Sequence, residues 1–304
     1  MIREQAYIDL HMHSRYSDDG EFTPEQLVKE CQAAGIRIMA ITDHNCAKAN
    51  AEAKRAAAQA GIKYICGIEI DGTYQGVDFH LLGYGIDDQD SAFTRIEAEI
   101  ARQHEAVSHQ RLRLINQLGF RVTAEELEAI SADHYWPMSW TGEKFAEVLL
   151  NKPEYFDHKL LRPYRPGGER SDNPFVNFYW DFCAQGKPCY VKVEFPPLDE
   201  IIRVVHDTGG KAVLAHPGNN LAGHPYLLAE IVRLGLDGIE VGSSYHSRET
   251  TAHFYQQALA YGLFITGGSD YHGKTKPAIR LGEYARPLPE REIEAQLEAA
   301  GLLS

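Results

Sequence analysis

The fold and the chemistry of this chain are decided by one short stretch, Ile8-Asp9-Leu10-His11-Met12-His13. Its apolar residues predict a buried strand, and side chains on a strand alternate between its two faces. His11 and His13 therefore project from the same face, where two imidazoles can bind one cation. Asp18 follows in the next turn and can join them. The stretch predicts the first strand of the fold and the beginning of a metal site.

Further candidate metal ligands follow or begin other short apolar runs. They are His44, Glu69, His80, His216, Asp270 and His272. Each run predicts a buried strand, and the strand ends of a parallel β/α barrel meet at one rim. We expect these side chains to gather with His11, His13 and Asp18 around bound cations, because so many imidazoles and carboxylates would otherwise repel one another or compete for protons.

The order of the predicted elements indicates an α/β fold. Strands alternate with helices over residues 1–86 and again over residues 198–304. These give seven strands in β-α order and predict a distorted, closed or nearly closed (β/α)7 barrel. Residues 87–197 have mainly helical periodicity, and we interpret them as an insertion that covers the active-site rim. The middle of this insertion, residues 152–173, lacks a clear period and predicts a long loop.

Composition and charge exclude several classes of protein. The apolar runs are shorter than the roughly 20 residues that span a bilayer, and the first residues lack a secretory segment, so we expect a cytoplasmic protein. Five cysteines without a Cys-x-x-Cys pair indicate reduced thiols. A formal net charge of −13 argues against an extended nucleic-acid surface. A small anionic substrate is compatible with this net charge, because divalent cations would outweigh the charge of the carboxylate ligands.

The motifs, in this order and spacing, resemble those of the PHP (polymerase and histidinol phosphatase) family of metal-dependent phosphoesterases. The insertion before Ala215-His216-Pro217 resembles the branch that includes nucleoside bisphosphate phosphatases and RNA 5′-end exonucleases. This resemblance implies a trinuclear site in which Glu69 and Asp270 bridge metals, whereas the ligands alone support at least two metals. Histidine nitrogens mixed with carboxylate oxygens favour Zn, Mn or Fe over Ca.

The expected reaction is hydrolysis of a phosphomonoester by a metal-bound hydroxide, since coordination lowers the pKa of water towards about 7. Asp270 is therefore a catalytic candidate as well as a ligand. His246 follows the sixth predicted strand and is a candidate for binding the substrate or protonating the leaving group. Ser269 lies beside Asp270 but is not part of a Gly-x-Ser-x-Gly turn, so we expect no protein nucleophile.

Basic residues of the insertion are candidates for binding substrate phosphate. They are Lys144, Arg162, Arg165, Arg170 and Lys192. The chain departs from the family pattern at Thr141-Gly142-Glu143-Lys144, where relatives often carry Gly-Arg-Pro-His. The arginine is missing and Lys144 is a candidate replacement, so the resemblance does not extend to nucleotide specificity.

Three functions are compatible with the sequence. The first is a phosphatase that acts on a small nucleotide-like or sugar-like phosphomonoester. The second is an exonuclease or phosphatase that acts on short RNA or nucleoside bisphosphates. The third is a non-catalytic, metal-binding regulatory module. We favour an enzyme, because a silent module has no need to retain every predicted ligand.

Overall fold

Eight short strands form two hydrogen-bonded sheets in the computed structural model, which describes residues 5–303. The first sheet is parallel and contains β1 (Ile8–Asp9), β2 (Ile38–Met39) and β3 (Lys63–Tyr64). The second sheet contains, in spatial order, β4 (Gly67–Tyr74), β5 (Val77–Tyr84), β6 (Lys211–Leu214), β7 (Gly238–Ser243) and β8 (Phe264–Gly268). The apolar run of residues 64–70, which the sequence predicts as one strand, is thus divided between β3 and β4.

The α/β class is confirmed, but the distorted, closed or nearly closed (β/α)7 barrel that the sequence predicts is not. β5 runs antiparallel to both β4 and β6, and the two sheets are separate ladders. The antiparallel hairpin arises at Gln75 and Gly76, whose φ angles of 51° and 78° are both positive. Two such residues form the tight turn whose twist matches that of paired strands. The fold is therefore mixed α/β, with single backbone hydrogen bonds such as Leu10 N–Gly267 O joining the sheets.

Helices cover the sheets and fill the long connection between β5 and β6. They are α1 (Pro24–Ala33), α2 (Ala49–Ala60), α3 (Ser91–Gln117), α4 (Ala124–Ser131), α5 (Gly142–Asn151), α6 (Pro174–Phe178), α7 (Leu198–Asp207), α8 (Pro217–Asn220), α9 (Leu227–Arg233), α10 (Arg248–Tyr261) and α11 (Glu290–Ala299). Thr23 caps α1 and Pro24 occupies its first turn, where these residue types are favoured. Among the described helices, none is long and apolar enough to cross a lipid bilayer.

The segment between β5 and β6 has a hydrophobic cluster of its own. Trp140, Phe145 and Phe178 are buried in that cluster, whereas Phe93, near the start of α3, packs in the core beneath the strands. The 27-residue helix α3 therefore extends from one core to the other. Short 3-10 helices at Pro153–Tyr155 and Arg162–Tyr164 lie in the region predicted as a loop. The division into 1–86 with 198–304 and 87–197 stays a prediction.

Candidate metal centre

Eight of the nine predicted ligands, including the carboxylates Glu69 and Asp270, lie together in one cluster that is buried except at the partly exposed His44 and His80. Oxygens of Glu69 lie 2.9 to 3.4 Å from ring nitrogens of His11, His13, His44, His80 and His216. Oxygen Oδ1 of Asp270 lies 3.2 to 3.5 Å from nitrogens of His11, His13 and His272. The motifs that are far apart in sequence thus converge as expected.

The antiparallel hairpin explains how His80, the fourth residue of β5, reaches this cluster. In the register of β4 with β5, His80 lies opposite Asp71, two residues beyond Glu69. Its Nδ1 lies 2.9 Å from Glu69 Oε1. Residues two positions apart on a strand project from the same face, and directly paired residues share that face, so His80 projects beside Glu69.

Asp270 reaches the cluster through an unusual backbone conformation. Its φ of 56° lies in the left-handed region, which costs energy for a residue with a side chain. The backbone N–H of Asp270 donates to His11 O at 2.8 Å, which ties this turn to the end of β1. The Asp270 turn is thus fixed by the same chain segment that supplies the first two histidines.

Asp19, rather than Asp18, lies among the histidines. Asp19 Oδ2 is 3.1 Å from His272 Nε2, and its carboxylate forms a group with His13, His44 and His272. Asp18 Oδ2 instead accepts a hydrogen bond from Ser139 Oγ at 2.7 Å. Asp19 therefore joins the candidate ligands, and a ligand role for Asp18 stays a prediction.

The donor atoms of this cluster fit divalent metal ions. Three groups have ligand atoms within 4.8 Å of one another: His13, Asp19, His44 and His272; His11, His13, Glu69 and Asp270; and His44, Glu69 and His80. Within the cluster, four buried ring nitrogens have no hydrogen-bond partner, namely His13 Nε2, His44 Nδ1, His216 Nδ1 and His272 Nε2. Because buried polar atoms are normally satisfied, these nitrogens are suited to a cation.

The charges in the cluster also favour cations. Burial alone would raise the pKa of Glu69, but His11, His44 and His80 hold it well below its usual value. Burial opposes charge on His44, yet Glu69 and Asp71 outweigh burial and raise its pKa to about 10. Burial and the neighbouring His272 lower the pKa of His13 to about 4, which leaves a neutral ring with a free lone pair at neutral pH. Bound metal ions can replace the protons on the neighbouring histidines, which otherwise balance the negative charge of the carboxylates.

Two residues that the sequence analysis did not select hydrogen-bond to candidate ligands and hold them in place. Glu240 Oε1 accepts a hydrogen bond from His11 Nδ1 at 2.9 Å, and Oε2 accepts one from His216 N at 2.7 Å. Lys276 Nζ donates to Asp270 Oδ2 at 2.6 Å, and both side chains are nearly buried. A carboxylate in an otherwise apolar strand was the signal for Glu240. Carboxylates that orient histidine ligands are a common feature of metal sites.

His246 has partners that differ from the predicted role. Its Nδ1 donates to Val241 O at 2.9 Å, and its Nε2 accepts from Gly218 N at 3.0 Å. The ring is buried and both nitrogens are engaged with backbone groups. In this arrangement His246 supports the Ala-His-Pro-Gly loop and has no free nitrogen for a leaving group.

The basic residues predicted to bind phosphate are engaged elsewhere or exposed. Lys144 Nζ donates to Ser139 O, the Arg165 guanidinium donates to two backbone carbonyls, Arg170 pairs with Asp181, and Lys192 pairs with Glu194. Arg162 is exposed at the surface. The residues that line the cavity described next include none of these five. Their roles in substrate binding stay predictions that these contacts do not favour.

A cavity of about 480 Å³ opens beside the cluster. The cluster forms one wall, and the segment between β5 and β6 contributes aromatic residues that include Trp136, Tyr179, Trp180 and Tyr190. Its cationic residues are Arg111, Lys187 and Lys276. A cavity of this size suits a small ligand.

Known proteins are similar to this chain over nearly its full length. A 3′,5′-nucleoside bisphosphate phosphatase from Chromobacterium violaceum is 29% identical over 301 residues, which cover 96% of this chain and 98% of that protein. The 5′-3′ exoribonuclease Rnm of Escherichia coli is 29% identical over 280 residues, which cover 90% of this chain and 87% of that protein.

Solved structures share the fold. An amidohydrolase from Chromobacterium violaceum, solved with bound sulfate and no metal, has a TM-score of 0.77 at 27% identity and covers 96% of this chain and 97% of that one. A proposed metal-dependent phosphoesterase from Bifidobacterium adolescentis has a TM-score of 0.75 at 25% identity, with 96% and 98% covered.

The family comparison agrees with the motifs and with the cluster. The profile of the PHP domain matches residues 9–168, just over half of the chain. This match confirms the resemblance on which the sequence analysis relied. The chain belongs to the PHP domain family and is a metal-dependent phosphoesterase, a hydrolase that acts on phosphoester bonds.

Proposed function

We propose that this enzyme is a phosphatase that removes the phosphoryl group of a small nucleotide-like or sugar-like phosphomonoester. The observation that carries the proposal is the contact of Glu69 with five histidines at the wall of a small cavity. We further propose that the site holds two to three divalent transition metals, Zn, Mn or Fe. When bound, such ions activate water and offset the charge of phosphoryl oxygens.

The side chains of the cluster have distinct tasks in this proposal. Glu69 belongs to two of the three candidate groups and is therefore the carboxylate suited to be shared between ions. Asp270 is suited to the same task, because Oδ1 faces His11 and His13 while Lys276 holds Oδ2. Holding each ligand in advance keeps the reacting phosphoryl group in a fixed geometry.

The segment 87–197 forms the cap of the site in this proposal. Trp136 Nε1 donates to Tyr16 O at 2.6 Å, and Ser139 Oγ donates to Asp18 Oδ2 at 2.7 Å. Both contacts join the segment to the turn that carries Asp19. The aromatic residues of the segment then limit the size of the substrate and exclude water from the reacting groups.

A second candidate function is hydrolysis of short RNA from its 5′ end, which the similarity to the exoribonuclease Rnm favours. The cavity volume and the net charge of −13 favour a small molecule or the end of a short strand over a long one.

A cytoplasmic location also belongs to this proposal. It is supported by the five cysteines, all of which are free thiols.

The test is a screen of metal-free protein reconstituted separately with Mn²⁺ and Zn²⁺. The substrates are nucleoside monophosphates, nucleoside bisphosphates, sugar phosphates and short 5′-phosphorylated RNA, and the measurement is release of phosphate or of nucleotides. We expect metal-dependent release of phosphate from at least one small monoester. Release of nucleotides from RNA without hydrolysis of any small monoester would establish the second function instead. No hydrolysis with either metal would contradict the proposal.

A further inference from the structure

Arg111 is a buried cation at the wall of the cavity. It lies on α3, and only 9% of its surface is exposed. Its Nη1 donates to Trp140 O at 2.7 Å, and its Nε is buried without a hydrogen-bond partner. Within residues 5–303 no carboxylate forms an ion pair with it. An unpaired buried charge destabilises the fold, and an anionic ligand would offset that cost.

The other cations that line the cavity are already satisfied or exposed. Lys276 forms an ion pair with Asp270, and Lys187 is exposed to solvent. Arg111 therefore combines burial, a free donor and a position on the cavity wall. Its planar guanidinium presents several N–H groups to the two oxygens of a carboxylate or phosphate.

The position of Arg111 fits a substrate that also reaches the metal cluster. His104 and Arg111 both line the cavity, seven residues apart on α3, or about 10 Å along the helix axis. Burial lowers the pKa of His104, and the charges of Asp18 and Arg111 both act on this ring. The cavity thus runs along α3 from the aspartates near the cluster to the guanidinium.

We propose that Arg111 forms a second anion subsite, which binds a carboxylate or a second phosphate of the substrate whose first phosphoryl group lies at the metal cluster. This inference rests on the proposed function and specifies its substrate as a compound with two anionic groups. The guanidinium comes from α3, whereas the arginine of the family pattern would stand at the start of α5, where this chain has Gly142.

The test uses pairs of substrates that differ only in the second anion. Glycerol 1-phosphate and 3-phosphoglycerate differ by a carboxylate, and adenosine 3′-monophosphate and adenosine 3′,5′-bisphosphate differ by a phosphate. The metal-loaded enzyme should have a KM about 10- to 100-fold lower for the doubly anionic member of at least one pair, as charge-assisted hydrogen bonds provide. The pair that responds identifies the second group.

The variant Arg111→Gln keeps a donor for Trp140 O but removes the charge. We expect it to raise the KM of the doubly anionic substrate about 10- to 100-fold, with kcat and the singly anionic substrate nearly unchanged. Arg113→Gln is the matched control, because Arg113 is exposed on the same helix. If Arg111→Gln does not fold, Arg111→Lys keeps the charge but lacks the planar guanidinium. It should raise the KM of the doubly anionic substrate by a smaller factor.

Hydrolysis of the singly anionic substrates reports on the proposed function, and discrimination within a pair reports on Arg111. Equal KM values within both pairs for the unmodified enzyme would overturn the subsite. Unchanged discrimination in the Arg111 variants would also overturn it. Neither result would affect the assignment as a phosphatase.

Discussion

Replacing Glu240 by glutamine tests the way in which the fold holds the first histidine. The two oxygens of Glu240 accept hydrogen bonds from His11 Nδ1 and His216 N, and the side chain is fully buried. Glutamine has the same size but offers one acceptor and one NH₂ group. Because both partners are donors, one hydrogen bond is lost and two donors face each other.

The structure sets the expected magnitude of this change. Losing one hydrogen bond to a charged group costs about 1.5 to 3 kcal/mol of unfolding free energy. The loss of orientation of His11 and His216 should lower metal affinity about 10- to 100-fold, as for other residues that orient metal ligands. The variant should therefore fold, bind metal weakly and recover part of its activity at high metal concentration.

The assay is a titration of metal-free protein with Mn²⁺ or Zn²⁺ against a chromophoric chelator, followed by activity at each metal concentration. Glu230→Gln is the control, because Glu230 accepts hydrogen bonds from the side chains of Tyr74 and Gln75, outside the cluster. A Glu240→Gln protein with the metal affinity of the unmodified chain would refute the assigned orienting role.

The remaining predictions concern catalysis and pH. His11→Ala or Asp270→Ala should each lower kcat/KM by about 100-fold or more, whereas Ser269→Ala should retain most activity; a phosphorylated enzyme dependent on Ser269 would contradict direct attack by water. Burial, followed by the charge of Asp19, raises the pKa of Glu143 from 4.5 to about 7. A raised carboxyl pKa costs the folded protein stability as pH rises from about 4.5 to 7, by about 3 kcal/mol in total. In metal-free protein, Glu143→Gln should therefore be more stable than the unmodified chain at pH 8 and equal at pH 4; a difference independent of pH in denaturant titrations would contradict this.

The sequence was sufficient to predict most of the cluster. Candidate ligands such as His11 and Asp270 lie in or directly after short apolar runs, and burial of those runs leaves little freedom in where the polar side chains emerge. The same reasoning failed at β5, because Gln75-Gly76 is a weaker turn signal than Asn-Gly and the run that follows is as apolar as a parallel strand. His80 nevertheless lies in the cluster, because its pairing with Asp71 places it on the face of the hairpin that carries Glu69.

Features that depend on distant contacts were not predictable from local pattern. Asp18 and Asp19 are adjacent, but Asp18 contacts Ser139, about 120 residues away, whereas Asp19 contacts His272, about 250 residues away. Local basic composition pointed to Arg170, which is instead paired with Asp181. Arg111 follows the ordinary pattern of an amphipathic helix, so only the tertiary structure distinguishes its burial from the exposure of its neighbours.

The most direct test of the central claim is to measure phosphatase activity against the number of metal ions bound to each chain. Metal content is measured by elemental analysis, and activity is measured on the phosphomonoester that the screen identifies. We expect activity to disappear on chelation and to return as more than one equivalent of Mn²⁺ or Zn²⁺ binds, because the candidate ligands exceed the four to six that one ion accepts. Full phosphatase activity in protein that carries less than about one-tenth of a metal ion per chain would contradict a metal-dependent mechanism at this cluster.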